Sequence, residues 1–188
     1  MATKPDGTMM NFGGTDGQVM TSDGAGAAAM EAVAVAGSDN LLHIRQERAV
    51  NTANGSSSVG ANTTPLNTVV TNEITGSSLS SNQITLPAGT YHIYATIFGY
   101  DGTTFLLKGY LYNITDSALE IAGSSERAIG SSQGKSTIIG RFTIGATEVF
   151  ELRQSHSLAN ATNGLGVAAD ETLGGVEVYA EVQIREIN

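Results

Sequence analysis

The chain contains no cysteine, which excludes disulfides, thiolate zinc sites and cysteine nucleophiles at once. A small secreted domain usually carries bridges, so their absence favours assembly in a reducing cytosol. Basic charge is also scarce: nine Lys and Arg against 18 Asp and Glu leave a net charge of −9. Phosphate binding needs clustered cations to displace counterions, and the densest group, Arg45 to Arg48, is interrupted by Glu47, so nucleic acid is not an expected partner. Long hydrophobic runs are missing. The longest small-apolar stretch, Ala25 to Ala36, contains Glu31 and falls short of the ~20 residues that span a bilayer, so no membrane partner is expected. The opening MATKPDGTMM has Pro, Asp and Gly where a signal peptide has an apolar core, and no export signal is expected.

What is present is 188 residues, enough for one domain with its own core plus an appendage. Only 14% of residues are charged while 40% are hydrophobic and Gly supplies 23 positions; the remaining polarity comes from uncharged Ser, Thr and Asn, a surface suited to permanent association with neighbours. Residues 1–40 are rich in Gly, Ala, Met and Asp with little strand-like alternation. They read as an extended N-terminal arm that borrows order from neighbouring chains. Within it, AAAMEAVAVA fits one or two helical turns, or a short strand through Val33 and Val35.

From Leu41 to Asn188 the pattern is β throughout. Short runs of period 2, separated by Gly, Ser, Asn and Asp, predict an all-β antiparallel jelly-roll sandwich. The expected strands are Leu41 to Val50, Leu66 to Ile74, Gln83 to Leu86, Thr90 to Gly99, Thr104 to Asn113, Lys135 to Ile144, Thr147 to Ser155 and Val176 to Ile187. Asn51 to Thr64 reads as a loop, and TGSSLSSN as a polar tip between strands. Tyr91, Ile93, Ala95 and Ile97 alternate with His92, Tyr94, Thr96 and Phe98, so both faces of that strand are expected to be covered. Asp101-Gly102 is a hairpin signal that would return the chain into Thr104.

Several of these segments, in this order, resemble the tumour-necrosis-factor-like and complement-globular-head jelly rolls. PAGTYHIYATI resembles that family's Pro-x-Gly-aromatic signature and the alternating strand after it, FTIGATEVFELRQ its later strand pair, and EVYAEVQIREI its closing strand. GYLYNITDS, with that ending, resembles versions found in tailed-phage virion surface proteins, and GTDGQVMTSDGAGA resembles a linker phrase preceding distal domains of phage fibres. The resemblance implies a homotrimer packed about a three-fold axis. The closing strand alternates Glu, Gln and Arg where animal members are aromatic-rich, which sets a cytokine-like receptor role aside.

Candidate chemistry is sparse, and no catalytic, cofactor-binding or metal-ligating residue is assigned. GSSQG, Gly130 to Gly134, matches G-x-S-x-G with Ser132 in the nucleophile place, but that chemistry needs a strand–turn–helix elbow and here strands flank the motif. GSSQGKS approaches a phosphate-binding loop except that position 129 is Ile, not the required Gly. GAGAAA, Gly24 to Ala29, approximates a dinucleotide fingerprint without a preceding strand or a βαβ unit. His43, His92 and His156 fall on separate predicted strands without metal-ligand spacing. Asp101, Asp116 and Asp170 are loop acids outside any D-x-D-x-D-G pattern, so calcium is not assigned. Asn54, Asn62, Asn113 and Asn160 head glycosylation sequons and are read as turn residues.

The sequence therefore predicts a non-enzymatic phage virion protein: a trimeric capsid decoration or cement protein on the virion surface, assembled in host cytoplasm. Its arm, residues 1–40, would bind the major capsid protein, and its jelly roll, residues 41–188, would trimerise and project outward. The alternative is a short tail fibre or receptor-binding tip touching host surface glycans through Asn51–Thr64 and Ser155–Gly175.

Overall fold

The computed structural model describes residues 18–22, 28–32, 40–169 and 174–187. The chain divides into two units, Met1–Ser38 and Asp39–Asn188. In the first, β1 (Gln18–Ser22) and β2 (Ala28–Ala32) pair antiparallel with Met20 opposite Met30. Of the helix and strand left open for AAAMEAVAVA, Ala28–Ala32 takes the strand. Backbone pairing satisfies N–H and C=O groups without side-chain bulk, so small residues can form it. Val33 and Val35 lie outside the described residues.

The second unit is an antiparallel jelly-roll sandwich. One sheet has the order β11 (Gly134–Ile144), β8 (Gly89–Gly99), β13 (Val176–Glu186), β3 (Leu41–Ala49), β5 (Thr68–Asn72). The other has the order β10 (Ala118–Ala128), β9 (Phe105–Asn113), β12 (Glu148–His156), β7 (Gln83–Leu86), β6 (Ser78–Ser80), with β4 (Gly60–Thr63) also pairing to β12. Period-2 alternation sends Tyr91, Ile93, Ala95 and Ile97 inward from β8, with Leu42 and Ile44 from β3 and Val182 and Ile184 from β13. The opposing sheet contributes Phe105, Leu107, Leu111, Phe150 and Leu152.

The PAGTY phrase is a physical unit. The Tyr91 hydroxyl donates to the Pro87 carbonyl at 2.8 Å, and a Cβ on Gly89 would stand 2.8 Å from that same oxygen. The tyrosine thus folds back over the link between sheets, and only glycine leaves it room. Its ring lies 5.6 Å from Phe142, which lies 5.4 Å from Phe150, giving this end of the sandwich an aromatic core.

Five expectations change. Asp101-Gly102 is not a hairpin turn: β8 and β9 lie in different sheets, because β8 is hydrogen-bonded on both sides by β11 and β13. Gly102 still supplies a positive φ, 82°, but the turn carries the chain across the end of the sandwich. The polar tip contains β6, joined to β7 through Ser81 and Asn82, which both take positive φ as a type I′ turn requires. The Asn51–Thr64 loop contributes β4 to the sheet. Leu66 and Ile74 are buried core residues outside the strand, which covers only Thr68–Asn72. The outward face of β8 is only partly covered, Tyr94 being 41% exposed.

The longest strand with no counterpart in the sequence reading is β10. Its register slips between Ala122 and Ser125, and the bulge re-aims the chain toward the other sheet. There the Ser124 hydroxyl accepts from Thr137 N (2.9 Å), and Ser136 Oγ donates to Ser124 O (2.6 Å) while accepting from Gly109 N (2.9 Å). Three strands from two sheets meet at this point. A Cβ on Gly123 would lie 2.7 Å from Gly109 O and 2.8 Å from Thr137 O, both backbone atoms that cannot turn aside. Gly123→Ala is therefore expected to cost about 1–3 kcal/mol as an overpacking change, whereas Gly145→Ala, with nothing within 4 Å, should be near neutral. Urea midpoints of the two variants check this.

Candidate interaction surfaces

The outward face of the five-stranded sheet is built in rows by its register. Ile139, Tyr94, Gln183 and His43 lie side by side across β11, β8, β13 and β3. Ile139 is 55% exposed and Tyr94 41%, so two large side chains face solvent on the β11–β8 side of the sheet. The next row is tied electrostatically: Glu181 Oε1 accepts from Arg45 Nη2 (3.0 Å) and meets His43 Nε2 at 2.7 Å. Burial pushes the Glu181 carboxyl up, but hydrogen bonds from Arg45 and His43 outweigh it and hold the group below its ordinary value. This network fixes β3 to β13.

The outward face of the six-stranded sheet carries a second cluster. Glu151 accepts from Arg153 Nε (2.7 Å), Thr63 Oγ1 (3.1 Å) and Gln83 Nε2 (3.2 Å). Burial raises its acidity threshold, and these donors reverse the effect, leaving its pKa below the ordinary range. The Arg153 guanidinium sits 3.8 Å above the Tyr112 ring, within cation–π reach. Burial, above all, pushes the neighbouring Tyr110 hydroxyl up. Two open grooves share Lys108 and Ser155: one of about 390 Å³ beside Leu106 and Arg127, one of about 280 Å³ beside Tyr110, Tyr112 and Leu119.

At the sandwich end opposite the aromatic core the interior turns polar. Gln46, Thr64, Gln154 and His156 are all buried. His156 Nε2 lies 3.0 Å from Gln154 Oε1, an acceptor, so the proton sits on Nε2 and Nδ1 is bare. Nδ1 and both polar atoms of Gln46 have no partner among the described residues. The imidazole stacks on Phe105 at 5.8 Å. Loops close over this end: Ser57 and Asn160 pair, and the Asn54 amide donates to Leu165 O at 3.1 Å.

The residues singled out in the sequence scatter. Ser132 is exposed in the turn between β10 and β11, its N–H donating to Ile129 O at 3.4 Å, with strands on both sides where a nucleophile elbow needs a helix. Lys135, the residue of the phosphate-loop pattern, is exposed on β11. Of the GAGAAA stretch only Ala28 and Ala29 are described, and they begin β2. His43 belongs to the Glu181 network, His92 is exposed on the sheet face and His156 is buried. Asp101 Oδ2 accepts from Thr103 Oγ1 at 2.6 Å and Asp116 caps the β9–β10 turn through Asn113; Asp170 lies outside the described residues. Among the described residues no group of three or more carboxylates and histidines is placed to hold a metal. The sequon asparagines are turn and core residues: Asn54 and Asn113 are buried, while Asn62 and Asn160 bond their own loops. Sequence reading missed both sheet-face clusters, although the alternation of Glu151 with Arg153 and of Tyr110 with Tyr112 already placed each pair on one face.

No family model matches the sequence, and no curated protein matches it. Solved structures do match in shape. Murine APRIL at pH 8.0 aligns with a TM-score of 0.51 at 14% identity, covering 79% of this chain and 99% of that one. Eiger TNF from S. frugiperda aligns at 0.48 with 8% identity (80% and 94% covered), and the globular domain of zebrafish complement 1qA at 0.42 with 11% (80% and 98%). The resemblance carried by PAGTYHIYATI and EVYAEVQIREI is thus matched at the level of the fold.

His156 gives this region a pH dependence. Burial lowers its pKa from 6.5 to about 4, against a smaller opposing pull from Asp101. Between those values the unfolded chain binds the extra proton and the folded chain does not, so stability present above pH 6.5 is lost as pH falls toward 4. The loss should reach on the order of 3 kcal/mol. Urea titrations at pH 8, 6.5, 5 and 4 should show that slope shallower in His156→Gln than in the parent; identical slopes would contradict the assignment.

Proposed function

We propose that this chain is a non-enzymatic structural protein of a tailed-phage virion, assembling as a homotrimer through the outward face of its five-stranded sheet and reinforcing the shell. The observation that carries self-association is the open pair Tyr94 and Ile139 on the β11–β8 side of that face, on a sheet whose other side is already core. Exposed apolar groups on a flat, ordered surface mark interaction sites. The virion setting is supported by the phrases GYLYNITDS and GTDGQVMTSDGAGA. In this reading the N-terminal arm binds the major capsid protein and the sandwich projects outward.

Reinforcement follows from mass action. A protein that binds the assembled shell and not its separated subunits stabilises it by about 2.7 kcal/mol per site at a hundredfold excess over Kd. Particles lacking the protein should therefore assemble but release DNA at a lower temperature, and adding it back should restore the difference. A second reading, a receptor-binding tip contacting host glycans, is favoured by the loop end, where Ser57–Asn160 pairing and the Asn54–Leu165 bond pre-form a surface. Equal thermal stability combined with failed adsorption to host cells would select it instead.

Ile139→Glu places a charge at the centre of the proposed contact without touching the core. It should leave the urea midpoint within about 0.5 kcal/mol of the parent, as surface changes do, while abolishing self-association in light scattering. An unchanged oligomer would exclude this face.

A further inference from the structure

The register of the five-stranded sheet sets three basic side chains in one line. Arg141 on β11 is directly opposite His92 on β8, and His92 is directly opposite Arg185 on β13. Directly opposed residues share a face, with Cβ atoms about 5 Å apart. All three are exposed, and no ion pair among the described residues includes them. A chain of net charge −9 with nine Lys and Arg thus spends two of those cations, beside a histidine, where they repel one another. The apolar row of Ile139 and Tyr94 lies two residues further along the same strands.

An opposite charge lies at the same end of the sandwich on the other sheet. Asp116 in the β9–β10 turn and Glu148 at the start of β12 both accept from Asn113 Nδ2 (3.4 and 2.5 Å), and Glu120 follows on the β10 edge beside exposed Leu119. No cation among the described residues pairs with these acids. The short links from Leu86 to Gly89 and from Ile144 to Glu148 join the sheets at this end. Row and corner therefore lie at the same end of the sandwich, on different sheets.

We infer that copies of this chain meet head to tail, the basic row Arg141–His92–Arg185 of one copy against the acidic corner Asp116–Glu120–Glu148 of the next. The inference rests on the homotrimer reading and supplies the contact that orders it. A two-fold pairing of this face with itself would bring two basic rows together, which like-charge repulsion penalises by several kcal/mol. A head-to-tail contact repeated by rotation closes a ring. Charge complementarity selects the ring over the two-fold dimer, and Ile139 and Tyr94 supply the dry centre beside it.

The test uses the full chain in four forms: parent, Arg141→Glu/Arg185→Glu, Asp116→Lys/Glu120→Lys, and all four changes together. Light scattering gives the association constant at about 50 and 500 mM salt, urea midpoints confirm folding, and Arg141→Gln/Arg185→Gln serves as a milder variant. Each charge-reversed pair should weaken association at least about tenfold at low salt, and the fourfold variant should recover most of it, because the four exchanged residues again face opposite charges. Parent association should fall with salt, and the Gln variant should show a smaller loss in the same direction. A parent that stays monomeric overturns the homotrimer reading itself. A parent oligomer untouched by either reversal, or a fourfold variant no better than the worse pair, overturns the pairing alone.

Discussion

The structure depends on how one side of the sandwich is closed. Two stacked sheets expose unpaired strand edges, and an open edge is a template for uncontrolled pairing. Here β10 bulges between Ala122 and Ser125 while staying paired to β9 on either side, and the bulge bonds to β11 through Ser124 and Ser136. The joint works because Gly109 and Gly123 bring backbone and Ile138 into contact that no Cβ would permit. With β10 fixed there, β9 and β8 are held across from one another and the core between them is sealed. The outward faces are then free to specialise.

They do so differently. The six-stranded sheet covers its centre with hydrogen-bonded polar groups, Glu151 held by Arg153, Thr63 and Gln83, and Arg153 lying on Tyr112. The five-stranded sheet secures only its β3 side through Glu181 and leaves Tyr94 and Ile139 open beside Arg141 and Arg185, which form no ion pair among the described residues. A face finished internally has no need of a partner, whereas a face with apolar area and uncompensated charge gains by acquiring one. The two ends also differ: Tyr91, Phe142 and Phe150 make one end apolar, while Gln46, Gln154 and His156 make the other polar under pinned loops.

Much of this was legible in the sequence where side chains alternate strongly. The strands β8, β11, β12 and β13 alternate inward and outward residues, and their limits fall within a residue of those read from the pattern. The Pro87-Gly89-Tyr91 phrase was legible because a single contact demands all three. The partners of strands were not, since Asp101-Gly102 looks the same whether the chain folds back beside β8 or crosses to the other sheet. Nor was β10, whose Gly123, Ser124 and Ser125 have no apolar period because they pack by closeness instead of bulk. The candidate surface was half visible: alternation placed large side chains on both faces of β8 and led to the expectation that both are covered, without showing which face needs a partner. The line of Arg141, His92 and Arg185 exists only once register is known, as these residues are distant in sequence.

The central claim is that the five-stranded sheet's open face is occupied by other copies of the same chain. Sedimentation equilibrium of the intact protein at micromolar concentration tests it most directly. The account predicts one species at three times the 19.4 kDa chain mass. A monomer at 19.4 kDa across that range would contradict it.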